Sequence, residues 1–233
     1  GDRCRSTTQS CEKCYGGMTR AIIFDFDGVI ADSEVPANRA LAESLTIIGL
    51  PTSFEDSLRD YYGHNWQETQ RRIEAKLGGP LPDNFRSMHR RNAREHFSKG
   101  FTPVIGASYF LDRTVQLPRA IASSSNVDYI RWALDNFGLH HHFADHIHSA
   151  DGVARGKPYP DIYLQAAAAL GVQPADCLAI EDSPTGARAA VAAGMTVVGL
   201  VAADHILDRV AHAEELRSVG VHQIAESFAQ ITL

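Results

Sequence analysis

The chain predicts an α/β fold: a parallel sheet covered on both faces, with a helical insertion after its first strand. Three observations predict it. From about residue 100 onward, short apolar strands alternate with helical stretches, the pattern of a parallel sheet whose crossovers are helices. Between about 35 and 98 no convincing strand occurs, and apolar residues recur at helical spacing. Ahead of that insertion stands one strongly apolar run, Ala21-Ile22-Ile23-Phe24, which ends abruptly in Asp25. With 233 residues, 44% of them hydrophobic, the chain can fill one large domain or two small ones.

In chain order, residues 1–17 are polar and aperiodic and read as a disordered leader ahead of Met18. Three of the four cysteines, Cys4, Cys11 and Cys14, lie there, and no second cysteine pair exists to complete a zinc site. The apolar run from Ala21 is the first strand, so a core over 18–32 and 100–233 flanks a helical cap over 33–99. Leu41, Leu45 and Ile48, then Phe85, Met88 and Phe97, mark the cap helices, punctuated by Pro51, Gly78-Gly79-Pro80 and Pro82. Gly100 to Gly106, with Pro103 between, reads as the return linker. "RAIASSS" (119–125) is a strand before a helix over 126–138, with Asn126 as N-cap and Gly138 past its end. "HIHSAD" (146–151) is a short strand, and "PDIYLQAAAALG" (160–171) a helix with Pro160 near its first turn and Gly171 as its stop. "CLAIED" (177–182) is a strand opened by Cys177 as a small core residue. A helix over 183–194, capped by Ser183 and closed by Gly194, leads to the strand "TVVGLV" (196–201).

A net charge of −6 leaves no basic footprint, so no nucleic-acid partner is expected. No apolar run approaches the roughly 20 residues that span a bilayer, so no membrane partner is expected either. A cytoplasmic protein, a monomer or weak dimer, is the expectation. The basic stretch 88–96 and the histidines His140 to His142, His146 and His148 read as a solvated helix face and a solvated loop.

The chemistry gathers at the strand ends. In an open parallel sheet, ligands bind outside the carboxyl ends of the strands. Asp25 sits at such an end, Asp27 can point into the same crevice, and Gly28 lets the chain swing away. Two carboxylates this close repel unless a cation or shared proton offsets them. "AIASSS" ends in hydroxyls at Ser123, Ser124 and Ser125. "EDSPTG" places Glu181 and Asp182 at another strand end, where a strand would ordinarily carry Val, Ile or Leu. "GKPYP" sets Lys157 before two prolines. Each piece alone has a plain reading as turn, cap or surface charge; together they suit one chemistry. Clustered carboxylates bind a hard divalent cation, and Mg²⁺ pairs with phosphate. Lysine and hydroxyl donors suit phosphate oxygens. One carboxylate can attack phosphorus while another protonates the leaving oxygen and then activates water.

These residues resemble the haloacid dehalogenase-like superfamily, phosphatase branch. "DFDGV" looks like its first motif, "IASSS" its second, "GKPYPDIY" its third and "IEDSPTGARAA" its fourth, over roughly Met18 to Leu233. The resemblance implies a Rossmann-like three-layer core with an α-helical cap inserted after the first strand. It implies Asp25 as nucleophile and Asp27 as general acid/base. Asp25, the Asp27 backbone carbonyl and Asp182 would hold Mg²⁺, with Glu181 nearby. Ser123 and the Ser124 N–H would meet the phosphoryl group, and Lys157 would bridge Asp25 and phosphate. Dehalogenases typically lack the acid/base at the position of Asp27, so its presence implies phosphoryl transfer. The chain looks most like the β-phosphoglucomutase-like subgroup. True mutases carry a cap histidine and a cap arginine that grips a second phosphate; the corresponding positions here are Ala37 and Trp66, with His64, Arg71 and Arg72 as the alternatives that could substitute. The expectation is therefore a phosphatase of a small phosphorylated metabolite, a sugar phosphate above all, with a sugar-phosphate mutase as the alternative. Substrate choice would lie with cap residues Glu34, Asn38, His64, Asn65 and Trp66.

Overall fold

The computed structural model describes residues 19–62 and 66–233. The leader, its three cysteines, and the cap candidates His64 and Asn65 lie outside the described residues. Strand β1 (Ala21–Phe24) is buried along its whole length. It pairs in parallel with β2 (Arg119–Ser123) on one side and β4 (Cys177–Glu181) on the other. With β3 (Ile147–Ser149), β5 (Thr196–Leu200) and β6 (Gln223–Ala225), the order is β3-β2-β1-β4-β5-β6, parallel throughout. The two outer strands have three residues each, which keeps the exposed edges short.

Side chains alternate across this sheet with period two. Ile22 and Phe24 join one apolar layer, under α5 (Ala107–Arg113) and α6 (Val127–Phe137). Phe24 is gripped edge-on by Phe110 at 6.1 Å and by Phe143 at 5.7 Å between centroids. Ala21 and Ile23 join the opposite layer, under α7 (Asp161–Leu170) and α8 (Pro184–Ala192). Ala166, Ala167, Ala187, Ala189 and Ala190 bring those helices close to Ala120, Ala122 and Ala179 of the strands. Each fully buried Ile or Phe of β1 contributes about 1.5–3 kcal/mol. Cys177 is a free, buried thiol in this layer, and burial pushes its pKa up to about 11, as befits an inert core residue.

The caps follow the sequence. The Asn126 side chain accepts from Tyr129 N, and Gly138 takes the left-handed conformation after α6. Gly171 does the same after α7, and Ser183 accepts from Gly186 N at the head of α8. Two helices were not expected from the sequence, α5 and α9 (Arg209–Ser218), nor was β6.

Between β1 and α5 run four helices: α1 (Glu34–Ile47), α2 (Phe54–Tyr61), α3 (Trp66–Leu77) and α4 (Phe85–Gly100). They carry their own apolar cluster of Leu41, Leu45, Tyr61, Ile73, Phe85 and Met88. The outgoing and returning chains are tied together: Asp32 N donates to Thr102 O at 3.0 Å and Val104 N to Ile30 O at 3.0 Å. No helix among the described residues is long and apolar enough to cross a membrane. The histidine run differs from the sequence reading. His142 has a side chain only 4% exposed, 3.2 Å from Asp112, rather than a place in a solvated loop.

Candidate active site

The backbone of Asp25 still belongs to the sheet, its N–H donating to Ile180 O of β4 at 2.9 Å. The chain then turns at once. Ile30 N and Ala31 N both reach Phe26 O at 2.9 Å, and Gly28 N donates to Ala31 O at 2.8 Å. Gly28 has φ +82°, and a Cβ there would fall 1.9 Å from Asp182 Oδ2, so only glycine lets the turn pass beside Asp182.

Asp25, Glu181 and Asp182 each offer an oxygen, all within 4.8 Å of one another and all buried. Lys157 stands between two of them, Nζ donating to Asp25 Oδ1 at 2.7 Å and to Glu181 Oε1 at 2.5 Å. Glu181 is held further by the Tyr163 hydroxyl at 2.6 Å and the Ser183 hydroxyl at 3.2 Å. A Cβ on Gly186 would fall 1.7 Å from Glu181 Oε1, so the head of α8 sits directly against that carboxylate. Burial, then Glu181, pushes the Asp25 carboxyl well above its usual range, with Lys157 only partly offsetting them. Burial alone would lower the Lys157 ammonium, but Asp25 and Glu181 outweigh it and hold it up. With all three carboxyls ionised, the cluster and its one ammonium carry two negative charges, a fit for a divalent cation with oxygen ligands.

Asp27 has a separate set of partners. Ser33 Oγ donates to its Oδ1 at 2.6 Å, Ser125 Oγ to its Oδ2 at 2.6 Å, and the Tyr129 hydroxyl to Oδ1 at 3.3 Å. Burial raises the Asp27 carboxyl, while the Ser125 and Ser33 hydrogen bonds oppose that rise. Ser123 is buried, and its Oγ accepts from Ser125 N at 3.0 Å. Asp182 is approached by the Tyr62 hydroxyl at 3.1 Å and by His205 Nε2 at 3.4 Å, while His212 Nε2 meets its carbonyl oxygen at 2.5 Å.

These groups open onto a cavity of 780 Å³ between the sheet end and the inserted helices. Asp25, Asp27, Ser123, Ser124, Lys157 and Asp182 line it, and Glu34 faces them from the start of α1. Glu181 lies immediately behind Lys157, beneath the lining. Trp66 is not brought to the cavity. It stacks on Phe85 at 6.3 Å and on His89 at 6.1 Å, inside the cluster of the inserted helices. Asn38 serves Glu34 rather than the cavity, its amide donating to Glu34 Oε2 at 2.9 Å. Sequence reasoning missed Ser33, Tyr62, Tyr129, His205 and His212 as parts of the site. Ser33 stands in "DGVIADSE" (27–34) and Tyr62 in "YGHNWQET" (62–69) without an assigned role, and no motif or period marks Tyr129, His205 or His212. Tyr163 stood within "PDIY" but without an assigned partner.

The fold and this array of strand-end carboxylates define a class: the chain belongs to the haloacid dehalogenase-like hydrolases, whose profile matches residues 19–194. It is thus an enzyme of the hydrolase class. Among individual relatives, it is 31% identical over 202 residues to validoxylamine A 7'-phosphate phosphatase of Streptomyces hygroscopicus subsp. limoneus, covering 85% of this chain and 93% of that one. It is 30% identical over 184 residues to fructose-1-phosphate phosphatase YqaB of Escherichia coli (strain K12), covering 79% and 95%. A HAD family hydrolase from Deinococcus radiodurans R1, solved with bound phosphate and sodium, superposes with a TM-score of 0.78 at 29% identity, covering 92% of this chain and 93% of that one.

Proposed function

We propose that the protein is a Mg²⁺-dependent phosphatase of small phosphorylated metabolites, sugar phosphates above all, acting through a phosphoryl group carried on Asp25. The observation that carries this reading is the division of labour between two carboxylates. Asp25 is paired with Lys157 at 2.7 Å, while Asp27 is held apart by Ser33, Ser125 and Tyr129. An Asp25 oxygen attacks phosphorus as the bond from phosphorus to the ester oxygen breaks. Asp27, its carboxyl raised by burial, gives its proton to the departing oxygen. Water then attacks the same phosphorus, Asp27 takes its proton, and inorganic phosphate leaves Asp25 free. Lys157, the Ser123 hydroxyl and the Ser124 N–H would bind the phosphoryl oxygens. Asp25, the Asp27 carbonyl and Asp182 would hold the metal, with Glu181 beside them. Bound Mg²⁺ would supply positive charge against the anionic phosphoryl group.

The names of the relatives support small, hydroxyl-rich phosphate esters. The mutase alternative needs a cap group for a second phosphate. The position where an arginine would serve is Trp66, stacked away from the cavity. The test is phosphate release from p-nitrophenyl phosphate and a sugar-phosphate panel by the full chain. Asp25→Asn should abolish release while leaving the fold intact, and EDTA should stop the parent enzyme. Near-native rates in that variant would remove Asp25 as nucleophile, and full activity in EDTA would remove the metal.

A further inference from the structure

We infer that the outer part of this cavity selects phosphate monoesters whose leaving group is an uncharged polyol, and rejects those bearing a carboxylate or a second phosphate. The inference deepens the phosphatase reading and rests on it. Its ground is the charge inventory of the wall. Among the described residues, Lys157 is the one Lys or Arg that lines the cavity, and both its contacts are spent on Asp25 and Glu181 at the phosphoryl end. Away from that end, the acidic side chains of the wall are Glu34 and Glu215, and His212 is the one imidazole among its described lining residues. The neighbouring wall groups Tyr62 and Thr185 are neutral hydroxyls. The three undescribed residues between α2 and α3, Gly63, His64 and Asn65, include no Lys or Arg. The basic side chains of α2 and α3 are tied elsewhere, Arg59 to Asp56 at 2.6 Å, Arg71 and Arg72 to Glu68 at 2.6 and 2.8 Å, and Lys76 to Asp60 at 2.5 Å.

Glu34 is fixed to receive a donor. Ser57 Oγ, fully buried, donates to Asn38 Oδ1 at 2.9 Å, and the Asn38 amide donates to Glu34 Oε2 at 2.9 Å. That relay leaves Glu34 Oε1 without a hydrogen-bond partner among the described residues. A substrate hydroxyl can donate to it. A substrate carboxylate or phosphate would face a like charge with no Lys or Arg of the outer wall to offset it, and the nearby His205 imidazole stands against Asp182 at 3.4 Å, so the discrimination is by repulsion. Burial raises the Glu34 carboxyl to about 7, so about nine-tenths of the charge is present a unit above that.

The test compares kcat/KM at pH 8 with Mg²⁺ on three esters, glucitol 6-phosphate, 6-phosphogluconate and fructose 1,6-bisphosphate, with p-nitrophenyl phosphate as reference. Glucitol 6-phosphate should exceed each of the other two by more than about tenfold, since juxtaposed like charges cost over one factor of ten. Glu34→Gln should narrow the ratio of glucitol 6-phosphate to 6-phosphogluconate at least about threefold. Glu215→Lys, a change on an exposed helix face that leaves packing alone, should narrow it as well. If p-nitrophenyl phosphate is hydrolysed but 6-phosphogluconate is cleaved as well as glucitol 6-phosphate, the selection is refuted and the phosphatase reading stands. A ratio unmoved by both substitutions also refutes it. No release from any ester, p-nitrophenyl phosphate included, overturns the phosphatase reading and this inference with it.

Discussion

Replacing Glu34 by Gln should stabilise the metal-free protein at pH 8 more than at pH 5. Burial raises the Glu34 carboxyl from its ordinary 4.5 to about 7, with His205 pulling it back. In the unfolded chain the same carboxyl ionises near its ordinary value. Between the two values the folded protein holds a proton that the unfolded chain has lost. The stability tied to that proton is therefore full below pH 4.5 and is lost as pH rises through about 7. A gap of about 2.5 pH units at 1.36 kcal/mol each gives an upper bound of about 3 kcal/mol. Partial exposure of the side chain brings the expected effect to roughly 1–3 kcal/mol. Glutamine keeps an acceptor for Asn38 and has no charge to bury, so it removes this loss. The assay is urea denaturation in EDTA, followed by far-UV circular dichroism, for parent and variant at both pH values. If the variant's advantage is the same at pH 5 and pH 8, burial of Glu34 is not what shifts its ionisation.

Two further outcomes follow from the same geometry. Lys157→Met strands Asp25 and Glu181 without their shared ammonium, and breaking a buried pair this way costs about 3–5 kcal/mol. An unchanged urea midpoint in EDTA would show that Lys157 does not balance them. Tyr129→Phe removes one donor from Asp27, so the Asp27 carboxyl should titrate still higher and carry its limb of the pH–rate profile upward. The ring packs on Phe26 at 5.9 Å and Phe101 at 6.2 Å, and phenylalanine keeps both contacts. A profile that does not move would sever Tyr129 from Asp27.

Much of the sheet was legible because its elements carry local signals. Four apolar residues ending in Asp25 mark β1, and Asn126, Gly138, Gly171 and Ser183 bracket α6, α7 and α8 through side-chain caps and left-handed backbone. The helices α5 and α9 were missed for another reason: α5 follows the left-handed Gly106 and α9 is capped by Asp208, which accepts from Ala211 N, but neither carries a long apolar period. α5 has seven residues, and α9, "RVAHAEELRS", buries only Ala213 and Leu216. In the site, residues adjacent in sequence were readable, because strand ends deliver Asp25, Ser123, Glu181 and Asp182 to one edge. The partners of Asp27 come from the loop before α1, the end of β2 and the first turn of α6, and only tertiary packing joins them. Trp66 was ambiguous because a helical period shows that one face is apolar without showing which neighbour covers it.

The position of β1 has a consequence for how this protein can change. Asp25 is anchored to the most enclosed strand of the molecule, while Glu34 rides on helices with a hydrophobic cluster of their own. Backbone amides of Ile22 to Phe24 should be among the last to exchange with deuterium, and those of α2 and α3 among the first. Asp25 and Glu34 are thus lodged in parts of unequal persistence. On the proposed function, substitutions in the outer helices would retune which compound is accepted while the Asp25 carboxylate keeps its place.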